Sequence, residues 1–322
     1  MLQTHPWMNR RGVCLCGISA ATSAAAGIWP SPRQAFAAAR GIVEQIKAEA
    51  ATAPIVVHRL RGNIAVLEGS GGSIAVLTER DGKVLVDAGI AVSRDQVSAA
   101  LAALGPQPVT HLINTHWHFD HADGNAWVSE TAPVILAHEN TRRHLSVTQR
   151  VADWDFDFAP LPAAALPTEV FATEHRLTHG SANLALRYYG PAHTDSDISV
   201  RFEEADVLHA GDTFWNGIYP FIDYSTGGSI DGSIRAAETN LAAASDSTLI
   251  IAGHGVPIGS RAQLQAFRDM LIAARDAVST LKRQGRSLDE VIAAKPTASY
   301  DGTWGRFVIS PSLFTTLVFE GV

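Results

Sequence analysis

The stretch "NTHWHFDHADGN", residues 114–125, sets three histidines and two aspartates within eight positions, from His116 to Asp123. A hydrophobic core gains nothing from such side chains, and a solvated loop does not need them. The segment continues the apolar run "VTHLINTH", which reads as a buried strand with His116 as its last residue. His118 lies two positions on, so in extended backbone both imidazoles point to the same side. Asp120 and His121 fall in the following turn, and "ADGNAWV" can start a helix. Nitrogen and oxygen donors on a rigid strand end suit a metal site, but two ions need more ligands than these four.

The chain offers the remainder at other strand ends. His193, in "YGPAHTDSD", follows the apolar run "ANLALRYYG". Asp212 follows "DVLHAG", and His254 follows "TLIIAG". Loops at one edge of a sheet can gather such groups from distant parts of a chain. The isolated His58, His111 and His175 read as surface or core residues, His179 as part of a turn, and His209 as a partner of a ligand at most.

Around these points the sequence alternates strand and helix signals. Residues 41–53 read as a short helix. "IVVHRL", "GNIAVLEG", "GSIAVLTE" and "KVLVDAG" read as strands separated by "RG", "GSGG" and "RDG" turns. "SRDQVSAALAALG" carries an N-cap serine and a closing glycine. "PVILAH" is a strand before helical "ENTRRHLSVTQR", and "DISVRFE" is a strand of the second half. Helices are expected over about 229–245 and 261–284, with a C-terminal helical extension. Two segments fit neither period: 151–168, with Trp154, Phe156 and Phe158, and 213–229, with Phe214, Trp215, Asn216, Tyr219, Phe221 and Tyr224. Both halves run strands, helix, then a strand ending in histidine, which suggests two packed sheets with helices outside.

The chain has 322 residues, 46% hydrophobic and 18% charged, enough for a sizeable core. Its net charge of -7 and lack of basic blocks argue against nucleic acid as a partner. Paired Arg10 and Arg11 precede a short alanine-rich apolar stretch ending in "AFA", Ala35–Ala37. No acidic residue occurs before Glu44. This pattern resembles a twin-arginine export signal, so residues 1–37 are expected to be a signal peptide and the protein periplasmic. Cleavage after Ala37 would remove both cysteines, Cys14 and Cys16, leaving no thiolate ligand and no membrane anchor in the mature chain.

Taken in order, "THWHFDH", "GPAHTDSD", "GDTF" and "GHG" resemble the metal motifs of the metallo-β-lactamase superfamily. The resemblance covers about residues 55–260 and implies an α+β fold, a four-layer αββα sandwich forming a single domain over 38–322, with a binuclear zinc site at one edge of the sheets. It places one metal on His116, His118 and His193, the other on Asp120, His121 and His254, and Asp212 between them. Asp87 in "VLVDAG" matches an aspartate that orients a ligand. The cysteine-bearing lactamases have a cysteine where this chain has Asp212. An aspartate there is the pattern of glyoxalase II, lactonases and many exported hydrolases. The tyrosine that acyl-homoserine lactonases carry after this aspartate has no clear counterpart, and His118 argues against the flavo-diiron proteins.

A donor set free of thiolate favours two zinc ions per chain, and manganese or iron also suits it. Such a pair would share a hydroxide nucleophile, with Asp120 placed as the catalytic residue that orients it and shuttles its proton. Lysine and arginine are scarce in the two irregular loops. The expected substrate is therefore a neutral, partly apolar carbonyl compound: a lactone, β-lactam, ester or thioester. The alternatives are a mononuclear iron dioxygenase of the persulfide type, using His116, His193 and Asp212, and a non-catalytic metal-binding periplasmic module. Substrate and oligomeric state stay open at this stage.

Overall fold

The computed structural model describes residues 41–322, so the expected export signal lies outside the described residues. Strands β1 (Val56–Arg59), β2 (Ile64–Glu68), β3 (Ile74–Glu79) and β4 (Gly82–Val86) form an antiparallel meander. Strands β5 (Val109–Ile113), β6 (Val134–His138) and β9 (Glu169–Phe171) extend it in parallel to seven strands. The second sheet runs β10 (Glu174–His179), β11 (Ala182–Tyr188), β12 (Ile198–Phe202), β13 (Val207–His209), β15 (Leu249–Ile251) and β17 (Ile258–Gly259), and the two-residue β14 (Trp215–Asn216) and β16 (His254–Gly255) pair in parallel.

Alternation along the strands divides the apolar residues into layers. Val66, Ala75, Leu77, Val84 and Val86 of the first sheet pack against Leu184, Leu186, Val200 and Ile251 of the second. The opposite face of the first sheet, with Leu67, Ile74, Val76 and Leu85, packs on Val97 and Leu101 of the helix Arg94–Ala103. Outside the second sheet, Ile250 joins Ile234 and Leu241 of the helix Ile230–Ala243 and Leu264, Phe267 and Leu271 of the helix Arg261–Arg283. The result is the expected αββα sandwich. The C-terminal helix Pro311–Glu320 buries Leu313, Phe314, Leu317 and Val318 in that same outer core.

The longest helix starts with a capping box: Ser260 Oγ accepts from Gln263 N–H while Gln263 Oε1 accepts from Ser260 N–H. Such a cap contributes about 1 kcal/mol.

Several expectations change in detail. The strand leading to the histidines ends at Ile113, so His116 lies in the loop beyond it rather than at its end. The cause is Asp87, whose carboxylate takes the backbone N–H of Thr115 at 2.7 Å and draws the chain out of the ladder. The helix expected over 139–150 spans Glu139–Leu145 and is followed by a small hairpin, β7 (Gln149–Val151) with β8 (Phe156–Phe158). "EHRLTH" is a strand, β10, although it has no clear apolar alternation. It is an edge strand, and only one of its faces meets the core.

Candidate metal centre

The seven expected donors converge. His118 Nδ1 and His193 Nε2 are 2.8 Å apart, and His193 Nε2 is 3.4 Å from Asp212 Oδ2. On the other side, His254 Nε2 lies 3.1 Å from Asp120 Oδ2, 3.3 Å from Asp212 Oδ2 and 3.4 Å from His121 Nε2. Asp212 Oδ1 is 3.0 Å from His121 Nε2, and Oδ2 is 3.9 Å from His116 Nε2. Three groups of donors each fall within 4.8 Å: His116–His118–His193, His116–His121–Asp212 and Asp120–His121–His254. The first and third are the two triads expected from the sequence, and Asp212 touches members of both.

The outer nitrogens decide which ring atoms face inward. His118 Nε2 lies 3.0 Å from Asp223 Oδ2, His121 Nδ1 is 2.7 Å from Asp87 Oδ2, and His193 Nδ1 is 2.8 Å from the Phe221 carbonyl oxygen. Each of these oxygens is an acceptor, so each outer nitrogen must donate. The inner nitrogens of His118, His121 and His193 are then lone pairs in their neutral forms. Two such lone pairs facing each other at 2.8 Å repel unless a proton or a cation lies between them. His116 Nε2 is buried without a hydrogen-bond partner, and Asp212 Oδ1, despite its closeness to His121, makes no well-directed hydrogen bond. Five imidazoles and two carboxylates thus present unsatisfied donor atoms to common points, the arrangement that suits divalent cations.

The charges agree. Burial, followed by the neighbouring His121, lowers His116 well below the ordinary imidazole range and keeps it neutral. Burial also lowers His118, against the pull of Asp223. For His121 and His254 burial acts the same way, but Asp212, Asp120 and, for His121, Asp87 outweigh it. His121 is raised well above its usual value and His254 to about 9. Burial would raise Asp120, yet His121 and His254 hold it down at about 2. Without metal that positive charge is a proton on His121 and His254, which a divalent cation would replace.

Backbone geometry makes room for the cluster. A Cβ on Gly72 would lie 2.2 Å from His121 Cε1, and one on Gly253 would lie 2.0 Å from Asp212 Oδ1. The positive φ of Asp87, 67°, lets its carboxylate reach both Thr115 and His121. Asp223, the partner of His118, was not singled out in the sequence. Its only local signal is its place in "PFIDYSTGG", a loop that closes 105 residues from its histidine.

The loop aromatics divide. Trp154 lies 5.4 Å from the His118 ring and stacks on Phe221 at 4.7 Å, and Trp215 lies 4.3 Å from the His254 ring. These three form an apolar wall on the donor cluster. Tyr219, of the same irregular loop, donates to Asp301 at 2.8 Å and stacks on Phe314 in the core. Asn216 donates to the Val256 carbonyl. His209 is buried, with Nε2 3.1 Å from the Ser73 carbonyl, and touches none of the seven donors through a hydrogen bond. Trp117 donates to Thr226 Oγ1 behind the histidines, and Asp123 accepts from Ala91 N–H.

A family model described as the metallo-beta-lactamase superfamily matches residues 67–254. A curated relative, the atrochrysone carboxyl ACP thioesterase of Aspergillus fumigatus, is 25% identical over 163 residues, 50% of this chain and 45% of that protein. The chain thus spans less than half the length of this relative. Among solved structures, the DIM-1 metallo-beta-lactamase aligns with a TM-score of 0.55 at 18% identity, over 69% of this chain and 98% of that one. The stereoselective inverting sec-alkylsulfatase Pisa1 from Pseudomonas sp. aligns with a TM-score of 0.62 at 15% identity, over 86% of this chain and 52% of that one.

Proposed function

The chain belongs to the metallo-β-lactamase superfamily, and from that membership we propose that it is an exported, binuclear zinc hydrolase of a neutral, partly apolar carbonyl compound. The observation that carries this reading is the approach of His118 Nδ1 and His193 Nε2 to 2.8 Å with both outer nitrogens committed to acceptors. His116, His118 and His193 would hold one ion, Asp120, His121 and His254 the other, and Asp212 would join both. Bound there, zinc would supply Lewis acidity and bring the pKa of water towards neutrality.

The rest of the chemistry belongs to the chain. Asp87, Asp223 and the Phe221 carbonyl fix three imidazoles in the tautomer that directs lone pairs inward. Asp120, whose Oδ2 lies 3.1 Å from His254 Nε2 within the donor cluster, would orient the attacking water and take its proton. Trp154, Phe221 and Trp215 exclude bulk water, and the accessible parts of Trp154 and Trp215 would meet an apolar acyl or leaving group. The thioesterase relative supports placing thioesters in the substrate range alongside lactones, β-lactams and esters. Export rests on Arg10 and Arg11 ahead of the alanine-rich stretch.

The test is metal analysis of the purified protein together with hydrolysis of a panel of thioesters, lactones, esters, β-lactams and alkyl sulfates, with and without chelator. Two zinc equivalents and chelator-sensitive turnover of a carbonyl substrate are expected. A single iron with oxygen uptake on a persulfide would replace this reading by the dioxygenase. A wholly negative panel would favour a non-catalytic metal-binding module. An N-terminus near Ala38 on protein from the periplasm is the expected mark of export.

A further inference from the structure

A cavity of about 380 Å³ lies behind the donor segment, and none of the seven metal-facing residues lines it. Its volume is within the range of small-molecule pockets, about 300–1,000 Å³. One wall is the back of "HWHFDH": Trp117 and Phe119, whose side chains alternate with those of the donors. Phe158 stacks on Phe119 with ring centres 5.3 Å apart, and Phe156 lies 4.6 Å from Phe158. The helix Ile42–Ala50 closes the other side and contributes Lys47.

Lys47 Nζ sits 5.5 Å from the Phe119 ring centre and 5.8 Å from that of Phe156. Among the described residues no carboxylate forms an ion pair with it. Two carboxylates also line the cavity: Asp157 is paired with Arg150 at 3.2 Å, and Asp123 keeps its charge while accepting the Ala91 N–H at 3.0 Å. His144 also lines the wall, held there by the bond from its Nε2 to Asp195 Oδ1 at 2.6 Å. An ammonium over aromatic faces attracts an anion whose body is apolar, because the charge-assisted bond forms beside a surface that already excludes water.

We propose that this cavity is a binding site for a small carboxylate with an aromatic or alkyl body, its anion on Lys47 Nζ and its body on the Phe156 and Phe158 rings. The proposal is independent of the metal reading, since it uses none of the seven donors.

Calorimetric titration of the zinc-loaded chain with 4-phenylbutyrate, 4-phenylbutanol and 4-phenylbutylamine tests it. Saturable one-to-one binding of the carboxylate is expected, at least tenfold tighter than the alcohol or the amine. Lys47→Met should weaken the carboxylate about tenfold and leave the alcohol unchanged, and Phe156→Ala should weaken both. Binding of the carboxylate should persist after chelation. Absence of saturable binding at millimolar concentration, equal affinity in Lys47→Met, preference for the amine, or loss of binding on chelation would each overturn the proposal, the last by placing the carboxylate at the metal centre.

Discussion

Replacing Asp87 by asparagine isolates one link between the fold and the donor cluster. Asp87 is fully buried and accepts three hydrogen bonds at 2.7 Å, from Thr115 N–H, Thr115 Oγ1 and His121 Nδ1. Asparagine keeps the size, keeps Oδ1 for Thr115 N–H and tolerates the φ of 67°. It places an amide NH2 where Oδ2 stood. Thr115 can turn its hydroxyl to accept. His121 can adapt only by moving its proton to Nε2, the atom 3.0 Å from Asp212, and so loses the inward lone pair. Loss of such a partner typically lowers metal affinity 10- to 100-fold, about 1.4–2.7 kcal/mol. The assay is competition of zinc against a chromophoric chelator, with a thermal melt to establish folding. The step assigned to Asp120, His121 and His254 should shift by that factor, and the step assigned to His116, His118 and His193 should stay within threefold. Unchanged affinity at both steps, or an equal loss at both, refutes the tautomer argument.

Three other outcomes follow from the same geometry. Gly253→Ala should abolish binding of at least one zinc equivalent while the chain remains folded, because its methyl would lie 2.0 Å from Asp212 Oδ1; full occupancy by metal analysis would contradict it. Trp154→Ala removes a side chain that is 8% exposed, and about 3–5 kcal/mol of stability is expected to go with it. Its KM for apolar substrates should rise more than that for a minimal ester, and a uniform loss across the panel would deny the aromatic wall a role. Burial, with Glu320 and Asp223 nearby, raises Asp153 to about 6. The folded chain therefore retains a proton that the unfolded chain releases near pH 4, and this group's contribution declines as pH rises from about 4 to about 6. Asp153→Asn should thus be stabilising relative to wild type at pH 7.5, by about 1 kcal/mol after allowance for solvent screening, and not at pH 4. Urea midpoints at the two pH values measure this, and an equal difference at both would show that titration of Asp153 is not the cause.

The donor residues were legible in the sequence because each follows an apolar run: His193 after "ANLALRYYG", Asp212 after "DVLHAG" and His254 after "TLIIAG". Local spacing also carries the cluster from His116 to His121. The sandwich was legible for the same reason, since strands buried on both faces read as near-continuous apolar runs. The edge strand Glu174–His179 was not, because an edge with one solvated face needs little apolar character.

Sequence by itself determined which side chains were available and the two packed layers that bring their strand ends together. These follow from short-range periodicity and from the need to bury apolar faces. Tertiary structure decided the tautomers, through Asp223 on His118 and the Phe221 carbonyl on His193. It also decided that Trp154 and Trp215 face the donors while Tyr219 turns to Asp301 and the core. The aromatic residues of one loop have similar hydrophobicity, so composition does not sort them. Which ring meets an imidazole and which meets Phe314 depends on contacts between segments far apart in the chain, fixed only when the whole core closes.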